Sequence, residues 1–167
     1  PQGRNICIVD QKKSLLKQTQ QKLSNGEAIN PINVVVESEN QGGFHTKILI
    51  RDHEIISDQP FGFSGQNQGP KPSELVLAAL AACQETTYRI FAEDMGIHID
   101  KIAVRLRGSQ DLRGFMALDD EIPAGFTFIE GKVFIQSEAS DEELELLQRR
   151  VDQPVSYTHL RAHETLI

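Results

Sequence analysis

Cys83 is the side chain with the most chemistry to offer. It is one of two cysteines in the chain, the other being Cys7. A cysteine attacks as a thiolate, and its surroundings of Ala and Leu disfavour that charge. A place in the middle of a helix adds no help from the helix dipole. Reactivity at Cys83 therefore requires a cation brought from elsewhere in the fold; without one, Cys83 is a small apolar packing residue. Arg51 and Arg89 are the candidate cations. Arg89 lies six residues on, about 240° around a helix, and faces away. Arg51 falls at a hairpin in the strand region and is the better placed. His45 and His53 are further candidate thiol partners, and equally ordinary half-buried strand residues. No set of metal ligands, no glycine-rich phosphate loop and no serine nucleophile elbow is present, so neither a metal nor a cofactor is expected.

The elements that must position Cys83 follow from periodicity. Residues 14–23 carry a weak helical pattern (Leu15, Leu16, Leu23) ended by Asn25-Gly26 and Asn30-Pro31. Ile32, Val34 and Val36 alternate with Asn33, Val35 and Glu37. Phe44, Thr46, Ile48 and Ile50 then alternate with His45, Lys47, Leu49 and Arg51. A turn near Asp52 leads into 53–57. This pattern predicts an antiparallel meander. A loop over 61–71 follows, marked by Gly62, Gly65, Gly69 and Pro70. Pro72 suits the first turn of a helix and Gly96 its end, which predicts a rod of roughly 36 Å over 72–95. Its first half, Glu74 to Cys83, is apolar on every side and predicts burial on every side, by a sheet and by something else such as a second subunit.

Beyond that helix, 101–107 alternates as a half-exposed strand. The connection 108–125 holds Leu112, Phe115, Met116 and Leu118, which predicts that it packs. Phe126–Ser137 reads as a strand with a possible bulge at Gly131. Ser140 and Glu143 form a capping box ahead of a stripe of Leu144, Leu147 and Val151. Strands, long helix, strands and helix make an α+β arrangement.

Composition limits the function. The 167 residues fit one domain, are 39% hydrophobic and 25% charged, and carry a net charge of -7. An acidic chain is poorly suited to nucleic acid. The longest apolar run, Leu75–Cys83, is too short to span a bilayer, so no membrane partner is expected. Two cysteines make no disulfide framework, and a reducing, cytoplasmic compartment is the expectation. Residues 155–165 read as a translated sequencing-library adaptor, with no helical or strand period and no turn logic. On that reading the native sequence stops near Gln153, and only His45, His53 and His98 remain as native histidines. The expected divisions are an arm with a short helix over 1–30, a domain over 31–153 and a foreign tail over 154–167.

The stretch Gly69-Pro70-Lys71-Pro72-Ser73-Glu74-Leu75-Val76-Leu77-Ala78-Ala79-Leu80-Ala81-Ala82-Cys83 resembles the cysteine-helix motif of the OsmC/Ohr family, the osmotically inducible and organic hydroperoxide resistance proteins. Asp58-Gln59-Pro60 and the following glycine-rich loop are similar to that family's approach to the helix. Asp111-Leu112-Arg113-Gly114-Phe115 and Pro123-Ala124-Gly125-Phe126 resemble a less specific downstream stretch. The likeness covers residues 31–153.

The resemblance implies an antiparallel sheet wrapped around a long central cysteine-bearing helix, in an intertwined homodimer. It implies a thiol-dependent peroxidase active in the oxidative stress response. Its substrate is an organic hydroperoxide, and an external dithiol is its reductant. Cys83 maps to the attacking thiolate, oxidised to a sulfenic acid. An Arg paired with a Glu activates the thiol, which points to Arg51 and Glu74, and a second Cys after the last helix forms the disulfide. Three departures stand out. The resolving Cys is absent, which reads as truncation near Gln153; Cys7 is a conceivable substitute in an arm position. Glu74 is one residue later than the family's Glu, where Ser73 stands. It is also nine residues and about 13 Å along the axis from Cys83, on the opposite face, so only a partner subunit brings the two together. The family's Arg lies in an earlier hairpin, whereas no arginine occurs here between Arg4 and Arg51, so Arg51 is the only one available in the strand region. Two other readings stand beside the peroxidase: a non-catalytic OsmC-like dimer that binds small apolar ligands at its interface, and a redox-sensing or structural module in which Cys83 only packs.

Overall fold

Tight turns and period-two alternation build three antiparallel strands between residues 29 and 79. The computed structural model describes residues 16–152 and the backbone of 162–166. Strands β1 (Glu37–Gly42), β2 (His45–Ile50) and β3 (His53–Ser57) form a sheet in the order β1-β2-β3. The first strand starts later than the alternation of Ile32, Val34 and Val36 predicts. Glu37 already pairs with Leu49. Residues before Val36 would therefore lie beyond the end of β2, with no ladder partner there. Ile32 and Val34 are accordingly 91% and 80% exposed.

Helix α1 is described over 16–24, in the region where a short helix is expected. Helix α2 (Pro72–Met95) has the predicted bounds. Gly96 ends it in the left-handed region at φ 74. The Ile97 amide donates to Ala92 O at 2.8 Å and the Gly96 amide to Glu93 O at 3.2 Å, the paired bonds of a Schellman motif. Burial along α2 departs from the prediction. Only Leu80, Gln84, Tyr88 and Ala92 are buried, one ridge at four-residue spacing, while Val76 is 45% exposed. Ahead of Leu80 the apolar positions are only partly covered, Leu75 and Leu77 being half-buried and Val76 and Ala78 exposed. The chain divides into two units, Ile29–Ala79 and Pro1–Ala28 with Leu80–Ile167.

In the second unit, β4 (Lys101–Gln110) pairs antiparallel with β5 (Phe126–Gln136). The register is regular through Gly131, opposite Leu106, and the irregularity falls at Ser109/Gln110 instead of the expected bulge. A Cβ on Gly131 would meet Leu106 Cδ2 at 2.5 Å, so a side chain there would require the Leu106 tip to shift. Strand β6 (Ala162–Leu166) adds parallel to β5, from Ile129↔Ala162 to Val133↔Leu166. The sequence shows no strand period there, but addition at a sheet edge uses main-chain groups and needs no side-chain alternation.

Between β4 and β5, the short helix α3 (Leu112–Phe115) is capped by Asp111, whose carboxylate accepts the Arg113 amide and guanidinium. The Arg113 side-chain and backbone bonds push the Asp111 carboxyl down to about 2. Leu112, Phe115, Met116 and Leu118 do not pack as predicted and are all exposed. Helix α4 (Asp141–Asp152) opens with the predicted capping box: the Glu143 amide donates to Ser140 Oγ at 3.3 Å, and the Ser140 amide to Glu143 Oε2 at 2.9 Å. The backbone and hydroxyl bonds from Ser140 lower the Glu143 carboxyl.

The core of this unit gathers Tyr88, Ala92, Ile97, Ile99, Val133, Leu147 and Val151. Arg150 ties α4 to α2, bonding Asp94 Oδ2 at 2.7 Å with its guanidinium 5.2 Å from the Phe91 ring centroid. Leu147 is fully buried and its neighbour Leu146 is 51% exposed. Leu147→Ala is expected to cost about 2–5 kcal/mol of unfolding free energy. Leu146→Ala should change it by less than about 0.5 kcal/mol. Urea unfolding of the two variants side by side measures the difference.

Candidate functional site

The path into the cysteine helix is set by a buried carboxylate. Asp58, 1% exposed, ends β3 and accepts three backbone amides: Gln59 on Oδ1 at 2.8 Å, and Gln66 and Gln68 on Oδ2 at 3.1 Å each. These bonds draw the loop 59–69 into a closed curl. Burial pushes the Asp58 carboxyl up, but the amides of Gln68, Gln59 and Gln66, with His45 nearby, outweigh it and hold the group below its ordinary 3.8. The loop then returns to β3. The Asp58 amide and Ser57 Oγ both donate to Pro70 O, at 3.3 and 2.9 Å. Two glycines allow the curl to close. A Cβ on Gly65 would sit 1.8 Å from Gln59 O, and one on Gly69 would sit 2.3 Å from Ile56 O. The turn Phe61–Phe63 is a short 3-10 helix ending at Ser64 with φ 63.

The curl delivers the chain to α2. Pro72 is its first residue, and Glu74 Oε2 accepts the Lys71 amide at 3.0 Å, half of a capping box. This bond engages one carboxylate oxygen of Glu74 at the helix entrance, and the side chain is otherwise exposed. Arg51 stands first in the two-residue turn between Ile50 and His53, exposed, at φ 57. A left-handed conformation is uncommon for a residue with a Cβ. His45 lies on β2 with Nδ1 buried and no hydrogen-bond partner among the described residues. His53 is exposed, 3.5 Å from Asp52 Oδ1.

Cys83 is half-buried, one residue before the buried Gln84 of the packing ridge. Its carbonyl accepts the Thr87 hydroxyl at 2.8 Å. Within its own unit no described residue hydrogen-bonds Sγ. Arg89 turns to β4's approach and donates to Ile99 O at 2.5 Å. Cys7 lies outside the described residues. No group of three or more metal-ligating side chains gathers among the described residues. None of the helices described is long and apolar enough to cross a membrane.

The sequence offered Asp58 only as part of a resemblance. Its role as the acceptor of three loop amides depends on a fold that brings Gln66 and Gln68 back to it. An acid ahead of Gly-rich sequence was the one available signal.

A three-stranded meander, a glycine-rich curl and a long helix with a cysteine at mid-length make an α+β fold. Residues 65–159 match the family described as OsmC-like protein, more than half of the chain, and the chain belongs to that family. Its fold is similar to several solved structures. The OsmC-like protein of Mycoplasma pneumoniae matches with a TM-score of 0.69 and 19% identity, over 83% of this chain and 99% of that one. An organic hydroperoxide resistance protein OsmC of Legionella pneumophila matches with a TM-score of 0.60 and 18% identity, over 83% and 97%. The organic hydroperoxide resistance protein OhrB of Bacillus subtilis matches with a TM-score of 0.56 and 19% identity, over 81% and 96%. No curated protein matches the sequence.

Asp58→Asn replaces one acceptor oxygen by a donor facing amides. The Gln59, Gln66 and Gln68 amides are then expected to exchange faster with deuterium. The pH dependence has a definite sign. The folded Asp58 value lies below its unfolded one, so its stabilisation is present above about pH 4 and is lost as pH falls through the folded value. Urea unfolding between pH 2 and 6 should show a shallower loss on acidification in Asp58→Asn than in the parent.

Proposed function

We propose that this protein is a thiol-dependent peroxidase that reduces organic hydroperoxides through Cys83. The observation that carries the reading is the placement of Cys83: half-buried, mid-way along α2, in a chain of the OsmC-like family. The naming of two fold neighbours as organic hydroperoxide resistance proteins supports the substrate class.

In the proposed reaction the Cys83 thiolate attacks the terminal oxygen of the hydroperoxide. The S–O bond forms as the O–O bond breaks, and the departing alkoxide takes a proton to become the alcohol. Cys83 is left as a sulfenic acid. An external dithiol then reduces it, releasing water and forming a disulfide on the reductant. Arg51 is the proposed cation that favours the thiolate, and Glu74 its partner. The left-handed φ of Arg51 belongs to the two-residue turn between β2 and β3, which leaves its side chain exposed.

The active form proposed is a homodimer acting in the cytoplasm. Exposed Val76, Phe61 and Phe63 in one unit, and Phe115, Met116 and Leu118 in the other, are the apolar surfaces a second copy would cover.

A second reading, a non-catalytic dimer binding small apolar ligands at its interface, is favoured by one observation. Glu74 is already engaged by the Lys71 amide. Consumption of cumene hydroperoxide in the presence of a dithiol separates the two. The peroxidase reading expects turnover that Cys83→Ser abolishes; equal slow loss in both proteins supports the binding reading. Arg51→Gly relieves the left-handed strain and should leave unfolding free energy within about 1 kcal/mol of the parent. Its peroxidase rate should nevertheless fall at least about tenfold. An unchanged rate removes Arg51 from the mechanism.

A further inference from the structure

A cavity of about 530 Å³ opens beside the second half of α2, on the side of α1 and β4. Leu16 from α1, Ile90 from α2 and Ile102 from β4 form its apolar wall, with Thr86, Glu85 and Arg89 supplying polar groups. Its size lies within the range of small-molecule sites. Cys83 does not line it, and neither of the readings above uses it.

The two charged residues are not equivalent. Glu85 Oε1 accepts the Val104 amide at 3.3 Å, so its carboxylate is fastened to β4. Arg89 is half-buried and gives one N–H to Ile99 O. A guanidinium has five N–H groups in a planar fork, so most of this fork is left for another acceptor. Although Glu85 lies four residues earlier on the same helix, the two form no ion pair. Among the described residues no carboxylate pairs with Arg89. A partly desolvated cation without a counterion favours an anion, and the fork matches a carboxylate in two-point contact.

We propose that this cavity binds an amphipathic organic acid, its aliphatic chain against Leu16, Ile90 and Ile102 and its carboxylate on Arg89. The site is independent of the thiol.

Calorimetric titration of the full chain with decanoate, decan-1-ol and decylamine, below their micelle concentrations, tests it. Decanoate should bind most tightly. Arg89→Gln should weaken decanoate at least about tenfold while leaving decan-1-ol within about twofold. Thr86→Trp, which fills the cavity from its side, should weaken both, with circular dichroism checking that each variant is folded. Cys83→Ser should leave the decanoate affinity unchanged. The proposal is overturned if decanoate does not bind or decylamine binds best. It is equally overturned if Arg89→Gln weakens acid and alcohol alike, or if Cys83→Ser removes the affinity.

Discussion

A single buried carboxylate organises the approach to the cysteine helix. Asp58 is buried, and three main-chain amides of one loop bond its carboxylate, while no ion pair reaches it among the described residues. The arrangement satisfies two needs at once. A buried anion requires donors, and a loop curled against its own strand requires acceptors for the amides it turns inward. The glycines at 65 and 69 follow from the same closure, since backbone fills the space a side chain would need. Pro70, held by Ser57 and the Asp58 amide, then hands the chain to Pro72 at the first turn of α2.

What α2 does with that start depends on its two unlike halves. From Leu80 onward a ridge of Leu80, Gln84, Tyr88 and Ala92 is buried, and the second half ends in a glycine-terminated cap. The first half is apolar but only partly covered. Packing therefore anchors one end of the helix while the other presents Leu, Val and Ala to the surroundings. Cys83 falls near the change between the two and is half-buried. The lining of Arg89 and Glu85 belongs to the packed half and faces α1 and β4, so the chemistry available along this helix is not confined to the thiol.

Local signals carried most of the fold. Pro72 and Gly96 marked both ends of α2, because each acts through its own backbone. The capping box at Ser140 and Glu143 was legible for the same reason, as was the turn after Ile50. Features that depend on distant partners were not legible. The alternation of Ile32, Val34 and Val36 has a strand period, yet no strand forms, since the register of β1 on β2 leaves those residues without a partner. Gly131 reads as a bulge, yet it sits in regular register opposite Leu106. Leu112, Phe115, Met116 and Leu118 promised packing, but their apolar surface faces outward in one copy of the chain. At the candidate site, Cys83, Glu74 and Arg51 could be singled out by type and place. The Lys71 amide on Glu74 and the left-handed φ of Arg51 required coordinates.

The account centres on Cys83 as the atom that accepts oxygen. The most direct test is peptide mass analysis after brief exposure of the protein to one equivalent of cumene hydroperoxide, with a sulfenic-acid trap present. The account predicts the trap joined through a thioether to Cys83 on its peptide, the sulfenic oxygen leaving as water, formed in step with the appearance of the alcohol. Unmodified Cys83 after the hydroperoxide is consumed, or oxygen found only on Met95 and Met116, would contradict it.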